Sequence, residues 1–307
     1  MKISIVTPSF NSAQYIESTI QSVLSQAGNF EIEYIIIDNL STDGTGEIVG
    51  KYQKALEKGT YLLCCRKIEL TFISEPDSGM YDAVNKGFSK ATGDIHSWIN
   101  ADDIYMPGAF AAITDIFKQI HDIDWITGRS CVLSENGIIC SVLEPYFYIR
   151  NWIDRGVYGR DRHFIDQASV FWRSWLWSKS GGINPDLKLA GDYELWLKFS
   201  KHASLVTTNA LASGFRIVPG QLSEDRVTYM KEVEGILPRK GLLPVMAKLF
   251  SRAEKRVHLM FFKSLLFYLL FQNIQHTYVV VRKNGSIEKI TGPYHKVFKM
   301  DKIALFN

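Results

Sequence analysis

The stretch Tyr34-Ile35-Ile36-Ile37-Asp38, followed by the polar loop Asn39 to Thr45, decides the fold. A continuous apolar run rich in β-branched side chains suits a strand buried on both faces, as in a parallel sheet. The run ends at a carboxylate, and a helix follows to about Glu57. The same unit recurs on either side. Lys2 to Val6 is a short apolar run stopped by Thr7-Pro8-Ser9. Ile16, Ile20, Val23 and Leu24 then fall at helical spacing, with Asn11 or Ser12 expected as the N-cap. Glu69 to Ser74 reads as a third strand, and Met80 to Ala91 as a helix closed by Gly93 at the C′ position. Ile95 to Ile99 is a fourth strand ending at Asn100-Ala101-Asp102-Asp103. Pro107 opens a helix to about Gln119, and Trp125 to Thr127 is a fifth strand.

Strand and helix alternating in this way predict an α/β fold: a right-handed, mostly parallel central sheet with helices on both faces. Ligands of such sheets bind beyond the carboxyl ends of the strands. The polar clusters lie there: Thr7 to Asn11, Asp38 to Asp43, Glu75 to Asp77, and Asp102-Asp103. No GxGxxG follows the first strand, which counts against a dinucleotide site.

Beyond Ser130 the pattern changes. Glu135-Asn136-Gly137 marks a hairpin turn, and Pro145 to Asp161 is rich in aromatics and Arg. Ser169 to Trp172 reads as a strand, Arg173 to Lys179 as a short helix, Gly181-Gly182 as a break, and Asp192 to Lys201 as a helix. Val245 to Ile274 shows a long helical pattern. Tyr278 to Val281 and Ile287 to Ile290 flank Asn284-Gly285 as a terminal hairpin. The expected division is residues 1–235 as one α/β unit, with halves at 1–128 and 129–235. A helical extension with a terminal hairpin would occupy 236–307.

The chain has 307 residues, 46% hydrophobic and 22% charged, which excludes a disordered polymer. Its net charge of +3 is too small to imply a nucleic-acid partner. Seven basic residues and one acid lie between Arg239 and Lys263, a local excess of +6. Such a segment suits an anionic membrane surface or, equally, a helix packed on the α/β unit or in a homodimer interface. The four cysteines, Cys64, Cys65, Cys131 and Cys140, form neither a CxxC pair nor a disulfide framework, so a reducing cytoplasm is expected. The apolar start is too short for a signal peptide.

Two adjacent carboxylates at a strand end repel each other unless solvated or paired with a cation. Asp102 and Asp103 are therefore candidates for Mg²⁺ or Mn²⁺, which such carboxylates hold together with substrate phosphates. The plain alternative is a solvated helix N-terminus ahead of Pro107. Asp38 could accept hydrogen bonds from a base or ribose, whereas Ser9, Asn11 and Ser12 serve equally well as turn and capping residues. Trp172, Trp175, Trp177 and Trp196 read as core. Tyr146, Tyr148, Trp152 and Tyr158, in the irregular Arg-containing arm, are the better candidates for stacking on a sugar, and His163 reads as a surface loop residue.

Several motifs occur together and in order: Ser4-Ile-Val-Thr-Pro-Ser-Phe-Asn11, Ile-Ile-Asp38 with Ser41-Thr-Asp-Gly-Thr45, Ser74-Glu-Pro-Asp-Ser-Gly-Met-Tyr-Asp-Ala-Val-Asn-Lys-Gly87, Ala91-Thr-Gly-Asp94 and Asn100-Ala-Asp-Asp103. They continue with Asp166-Gln-Ala-Ser-Val-Phe-Trp172, Gly181-Gly182, Ala190-Gly-Asp-Tyr-Glu-Leu-Trp-Leu197, Gly214-Phe-Arg216 and Pro219-Gly-Gln221. The ordered set, over roughly residues 1–235, resembles glycosyltransferase family 2, in particular bacterial polysaccharide-biosynthesis members. The resemblance implies a GT-A (nucleotide-diphospho-sugar transferase) fold, a nucleotide-sugar donor, a divalent cation and inversion at the anomeric carbon.

Carried over residue by residue, Thr7, Pro8 and Asp38, with Ser9 and Asn11 beside them, would line the base and ribose pocket. Asp77, with Asn85 or Lys86, would edge the nucleotide site. Asn100, Ala101, Asp102 and Asp103 would form the metal motif, with Asn100 where an acid is usual. Asp192 would be the catalytic base, or the N-cap of its helix, or both, and Glu194 is a weaker candidate. The His ligand that many relatives carry after the Phe-Arg segment is absent from Phe215-Arg216-Ile217-Val218. The implied activity is metal-dependent transfer of a hexose-type unit to a saccharide or lipid-linked acceptor. The alternatives are a nucleotidyltransferase, which would need a Gly-rich loop with Lys after the first strand, and a catalytically silent glycan-binding protein.

Overall fold

The structure is a computed structural model, described for residues 1–160, 163–237 and 275–293. The basic helical pattern expected at 245–274 lies outside the described residues.

The first half follows the expected alternation: β1 (Lys2–Ser9), α1 (Ile16–Leu24), β2 (Glu31–Asp38), α2 (Thr45–Glu57), β3 (Lys67–Ser74), α3 (Met80–Lys90), β4 (Ile95–Trp98), β5 (Ile104–Tyr105), α4 (Ala109–Gln119) and β6 (Trp125–Leu133). Next come β7 (Ile139–Val142), α5 (Arg150–Asp154), β8 (Val170–Arg173), α6 (Ser174–Ser180), α7 (Gly191–Ser200), β9 (Leu205–Arg216) and α8 (Arg226–Ile236). The last described elements are β10 (Gln275–Val281) and β11 (Ile287–Pro293). All these strands join one sheet in the order β11-β10-β9-β6-β8-β4-β1-β2-β3, with β5 on β9 and β7 on β6. β3, β2, β1 and β4 are mutually parallel, whereas β8 runs antiparallel between β4 and β6. β1 has β2 on one side and β4 on the other, so the order reverses beside it. That reversal is where open α/β sheets bind ligands.

Burial explains the composition of the central strands. Ile3, Ile5, Val6, Ile32, Tyr34, Ile36 and Ile37 are all inaccessible or nearly so, because helices cover both faces of β1 and β2. On one face Trp98, Trp125, Trp172, Trp196 and Phe199 pack ring against ring. Trp172 and Trp196 are core, as expected, but Trp175 is largely exposed and donates its indole N–H to Asp124. Trp152 and Tyr158, read as candidates for stacking on a sugar, are buried in the same cluster.

One polar exception is structural. Glu33 on β2 is buried and accepts hydrogen bonds from the Ser4 hydroxyl, the Thr92 hydroxyl and backbone N–H, and Lys2. Burial alone would raise its pKa, but these donors outweigh it and hold the carboxyl down at about 2.

Four expectations are corrected. α1 starts at Ile16 without a side-chain cap. Its first free N–H groups, those of Tyr15 and Ile16, go to the Ser12 carbonyl. Gly93 does not close α3 as a C′ residue, because the chain is already extended at Ala91. Gly93 instead passes so close to β1 that a Cβ there would lie 2.5 Å from Ser4 Oγ and 2.8 Å from Ser4 N. α4 begins at Ala109, after left-handed Gly108, rather than at Pro107. The terminal hairpin is not an appendage beyond a catalytic unit. β10 pairs in parallel with β9, so it extends the central sheet.

No helix among the described residues is long and apolar enough to cross a membrane. The four cysteines are free thiols.

The Gly93 contact yields a prediction. Gly93→Ala should destabilise the protein by about 1–3 kcal/mol, because the contact is with backbone that cannot yield. Gly50→Ala, in mid-α2 where an added Cβ meets nothing within 4 Å, should be neutral or stabilising. Urea unfolding of the two variants checks the contrast.

Candidate active site

The carboxyl ends of β1, β2, β3 and β4 present their polar residues along one edge. Asp38 ends β2 in a buried position. It accepts hydrogen bonds from the Ser41 N–H at 2.9 Å, the Ser41 hydroxyl, and the Ser74 hydroxyl at 2.8 Å. Its carboxylate therefore shapes the loop after β2, with little capacity left for a ligand. Thr7 is fully buried, its hydroxyl 3.0 Å from that of Tyr34, so only its backbone faces the edge. Pro8 is also buried.

The Ser9 hydroxyl is buried without a hydrogen-bond partner. Asn11 sits at φ 46° and accepts the Thr42 N–H at 3.1 Å, which binds the loops after β1 and β2 to each other. Between them Phe10 is 60% exposed. A large aromatic standing free at a strand end is a stacking surface, and its place after Thr-Pro-Ser was the available signal.

Asp77 accepts the Gly79 N–H at 2.9 Å and donates its own N–H to Asn39 at 3.0 Å. Burial raises its pKa. Asn85 is committed elsewhere: its amide donates to the Ile183 carbonyl at 2.7 Å and accepts the Ile183 N–H at 3.1 Å. Lys86 donates to the Pro76 carbonyl at 2.6 Å and pairs with Asp82 and Glu75. Both residues support the loop before α3 and the Gly181-Gly182 break.

At the end of β4 the chain turns through Asn100, Ala101, Asp102 and Asp103. Ala101 offers its carbonyl to Thr19 at 2.9 Å. Asp103 is buried and accepts the backbone N–H of Arg216 at 2.8 Å. Arg216 in turn donates to the Asp102 carbonyl (2.6 Å), the Glu135 carbonyl (2.9 Å) and the Ser18 hydroxyl (3.1 Å). The guanidinium thus joins four segments and does not form an ion pair with either aspartate. Burial raises the pKa of Asp102, and burial with the adjacent Asp102 charge raises that of Asp103 well above the ordinary range. The Asn100 side-chain oxygen is buried and unpartnered. The Arg216 charge nearby works against both shifts without overcoming them; two such carboxyls, following an orphaned oxygen in the chain, have the oxygen chemistry that a hard cation takes. Among the described residues no three His, Cys, Asp or Glu gather as a cage, so the remaining ligands would have to come from phosphate and water.

Asp192 lies in the first turn of α7. It is not the N-cap, which is Ala190, and its carboxylate accepts the N–H of Tyr193 at 2.7 Å. Burial raises its pKa to about 7, against the opposing effect of the Tyr193 N–H. Glu194 is occupied by the Asn184 N–H at 2.8 Å and by Lys198 at 3.1 Å, so it braces the loop before the helix. α7 is docked on β4 through Trp196, which stacks on Trp98 at 5.8 Å.

Asp166 opens the motif Asp166-Gln-Ala-Ser-Val-Phe-Trp172, whose sequence alone assigns it no role. It precedes a 3-10 turn whose Gln167 amide donates to the Trp98 carbonyl. From there its negative charge acts on both Asp103 and Asp192, raising the pKa of each. Burial raises the pKa of Asp166 as well, against the opposing effects of Ser130 and the Ala168 N–H. Nothing in its local sequence signals the influence on Asp103 and Asp192, because that link is purely spatial.

The sequence profile of the family described as Glycosyl transferase family 2 matches residues 4–175. An uncharacterized glycosyltransferase of Rickettsia prowazekii is 24% identical over 236 residues, covering 76% of this chain and 70% of the relative. TuaG of Bacillus subtilis, named for teichuronic acid biosynthesis, is 32% identical over 135 residues, 44% of this chain and 46% of that protein. Among solved structures, S. aureus TarS 1-349 in complex with UDP-GlcNAc aligns with a TM-score of 0.59 at 16% identity, over 81% of this chain and 70% of TarS 1-349. The mannosyltransferase PcManGT of Pyrobaculum calidifontis, in complex with GDP-Man and Mn²⁺, aligns with a TM-score of 0.55 at 17% identity, over 83% and 70% of the two chains. The strand ends that collect these carboxyls therefore belong to a GT-A fold, and the chain is a member of glycosyl transferase family 2.

Proposed function

We propose that the protein transfers a hexose-type sugar, with inversion, from a nucleotide-sugar donor to a hydroxyl of a saccharide or lipid-linked acceptor, in the making of a cell-surface polysaccharide. The observation that carries this reading is Asp192: a carboxyl raised to about 7, at the start of a helix docked beside the β4 end that bears Asp102 and Asp103. A base poised near neutrality can take a proton from an alcohol as that alcohol attacks. The similarity to TuaG supports the polysaccharide setting, and the UDP-GlcNAc and GDP-Man bound by TarS and PcManGT support the donor class.

In this reading the donor base stacks at Phe10, and the loops after β1 and β2, held by Asp38 and Asn11, frame the ribose. Asp77 edges the diphosphate. Asp102 is the principal cation ligand, because it is half-buried with its carboxylate unpaired, whereas Asp103 already holds the Arg216 N–H. A bound Mn²⁺ or Mg²⁺ supplies a Lewis acid that neutralises the diphosphate leaving group. Asp192 receives the acceptor proton on the side opposite that leaving group, which gives inversion.

Turnover should rise with pH to a plateau through about pH 7. Asp192→Asn should lower it at least ~10²-fold while leaving nucleoside diphosphate binding intact; near-normal turnover in that variant removes Asp192 from the chemistry.

The raised pKa also means that the folded protein keeps a proton the unfolded chain has lost, between the ordinary carboxylate range and pH 7. Stability therefore falls as pH rises through that window. Asp192→Asn should melt higher than wild type above pH 7 and match it near pH 4, by calorimetric scans.

Chelation with EDTA should abolish release of nucleoside diphosphate from a panel of donors, and Mn²⁺ should restore it. Asp102→Asn should lose the Mn²⁺ dependence of UDP or GDP binding in titration calorimetry; full retention would remove Asp102 as the ligand.

A further inference from the structure

The first turn of a helix leaves backbone N–H groups without intrahelical partners, and a capping side chain normally accepts them. At α7 the N-cap is Ala190, which has no such side chain. Within the first turn the Tyr193 N–H goes to the neighbouring Asp192 carboxylate, and the segment leading into the helix is held from a distant part of the chain. Glu232, on α8, accepts the N–H groups of Lys188 at 2.8 Å, Leu189 at 2.9 Å and Ala190 at 2.8 Å. The Tyr81 ring, from α3, packs closely on Gly191. Gly191 is required for that approach, since a Cβ there would lie 2.6 Å from the Tyr81 ring.

The rest of α8 is built to hold Glu232 in place. Asp225 caps the helix by accepting the Thr228 N–H at 3.0 Å. Val233, next to Glu232, is fully buried against Ala190, Tyr193 and Leu197. Tyr229, three residues before Glu232, lines the same recess as Asp192, Tyr193 and Trp196. A carboxylate at a helix N-terminus is also favoured by the helix dipole.

We propose that Glu232 is a positioning residue for the transfer reaction: by clamping the backbone of residues 188–190 it fixes the first turn of α7 and so sets where the Asp192 carboxylate stands. This rests on the reading of Asp192 as the base. Glu232 itself touches neither donor nor acceptor. Its removal should leave donor binding alone and slow the step in which Asp192 takes the proton.

The test uses the full chain carrying Glu232→Ala, Glu232→Gln, Asp192→Asn, or Asp192→Asn with Glu232→Ala. Release of UDP or GDP from UDP-N-acetylglucosamine and GDP-mannose is followed with Mn²⁺ present. Amide exchange is measured on peptides spanning 186–195. Glu232→Ala should lower kcat by about tenfold or more with donor KM within about twofold, and Glu232→Gln, which keeps an acceptor oxygen, should recover most of the loss. In the Asp192→Asn background the same Glu232→Ala change should cost nothing further, because both act on one event. Exchange at 188–193 should accelerate in Glu232→Ala and stay slow in Glu232→Gln.

Multiplying losses in the double variant, unchanged exchange, or a kcat within twofold of wild type would each overturn the proposal. If Glu232→Ala does not fold, Glu232→Gln and Glu232→Asp carry the same comparison, with Asp, too short to reach all three N–H groups, as the impaired member. Normal turnover in Asp192→Asn alone sinks the base assignment. An impaired Asp192→Asn with multiplying losses sinks only the role of Glu232.

Discussion

The bond from the Arg216 backbone N–H to the Asp103 carboxylate is the point on which the site depends. It ties the end of β4 to the end of β9, strands separated in the sheet by β8 and β6. The Arg216 guanidinium extends the tie to Ser18 after β1 and to the hairpin turn at Glu135, and it lies 5.4 Å from the Tyr15 ring. The groups that the guanidinium satisfies are the Asp102 and Glu135 carbonyls and the Ser18 hydroxyl. The aspartates are thus fixed in space with no direct ion pair to the guanidinium, whose nearby charge offsets only part of the effect of burial.

That lack of compensation continues along the edge. Asp102, Asp103, Asp166 and Asp192 all have pKa values raised by burial, and Asp166 adds its charge to two of the others. Burying several carboxyls near one another costs folding energy, and strained electrostatics of this kind are characteristic of functional sites. Elsewhere the same protein handles a buried acid differently. Glu33 is surrounded by donors from Ser4, Thr92 and Lys2 and is pulled down to about 2. The contrast between Glu33 and Asp192 separates an acid whose several donors hold strands together from one that burial keeps protonated more readily, with a single backbone N–H on it.

Much of the edge that resembles a binding surface in sequence is committed to supporting it. Asn85 and Lys86 bond to backbone carbonyls, Asp38 is nearly saturated by two serines, and Glu194 braces Asn184. A linear motif cannot distinguish a residue that touches a ligand from one that shapes the loop doing so, since both are polar and both follow a strand. Burial and hydrogen-bond partners make the distinction, and they depend on neighbours up to a hundred residues away.

The sequence by itself determined the alternation of strands and helices, the buried central strands, and the placing of acids at strand ends. Those features are local: apolar runs with β-branched residues, helical spacing and turn residues act over a few positions. Only the tertiary structure decided that β10 extends the sheet, that the charge of Asp166 reaches both Asp103 and Asp192, and that Glu232 on α8 holds the segment leading into α7. Each of these joins segments far apart in the chain through hydrogen bonds or charge. Such contacts have no periodicity and no spacing rule, so they exist only once the chain has folded.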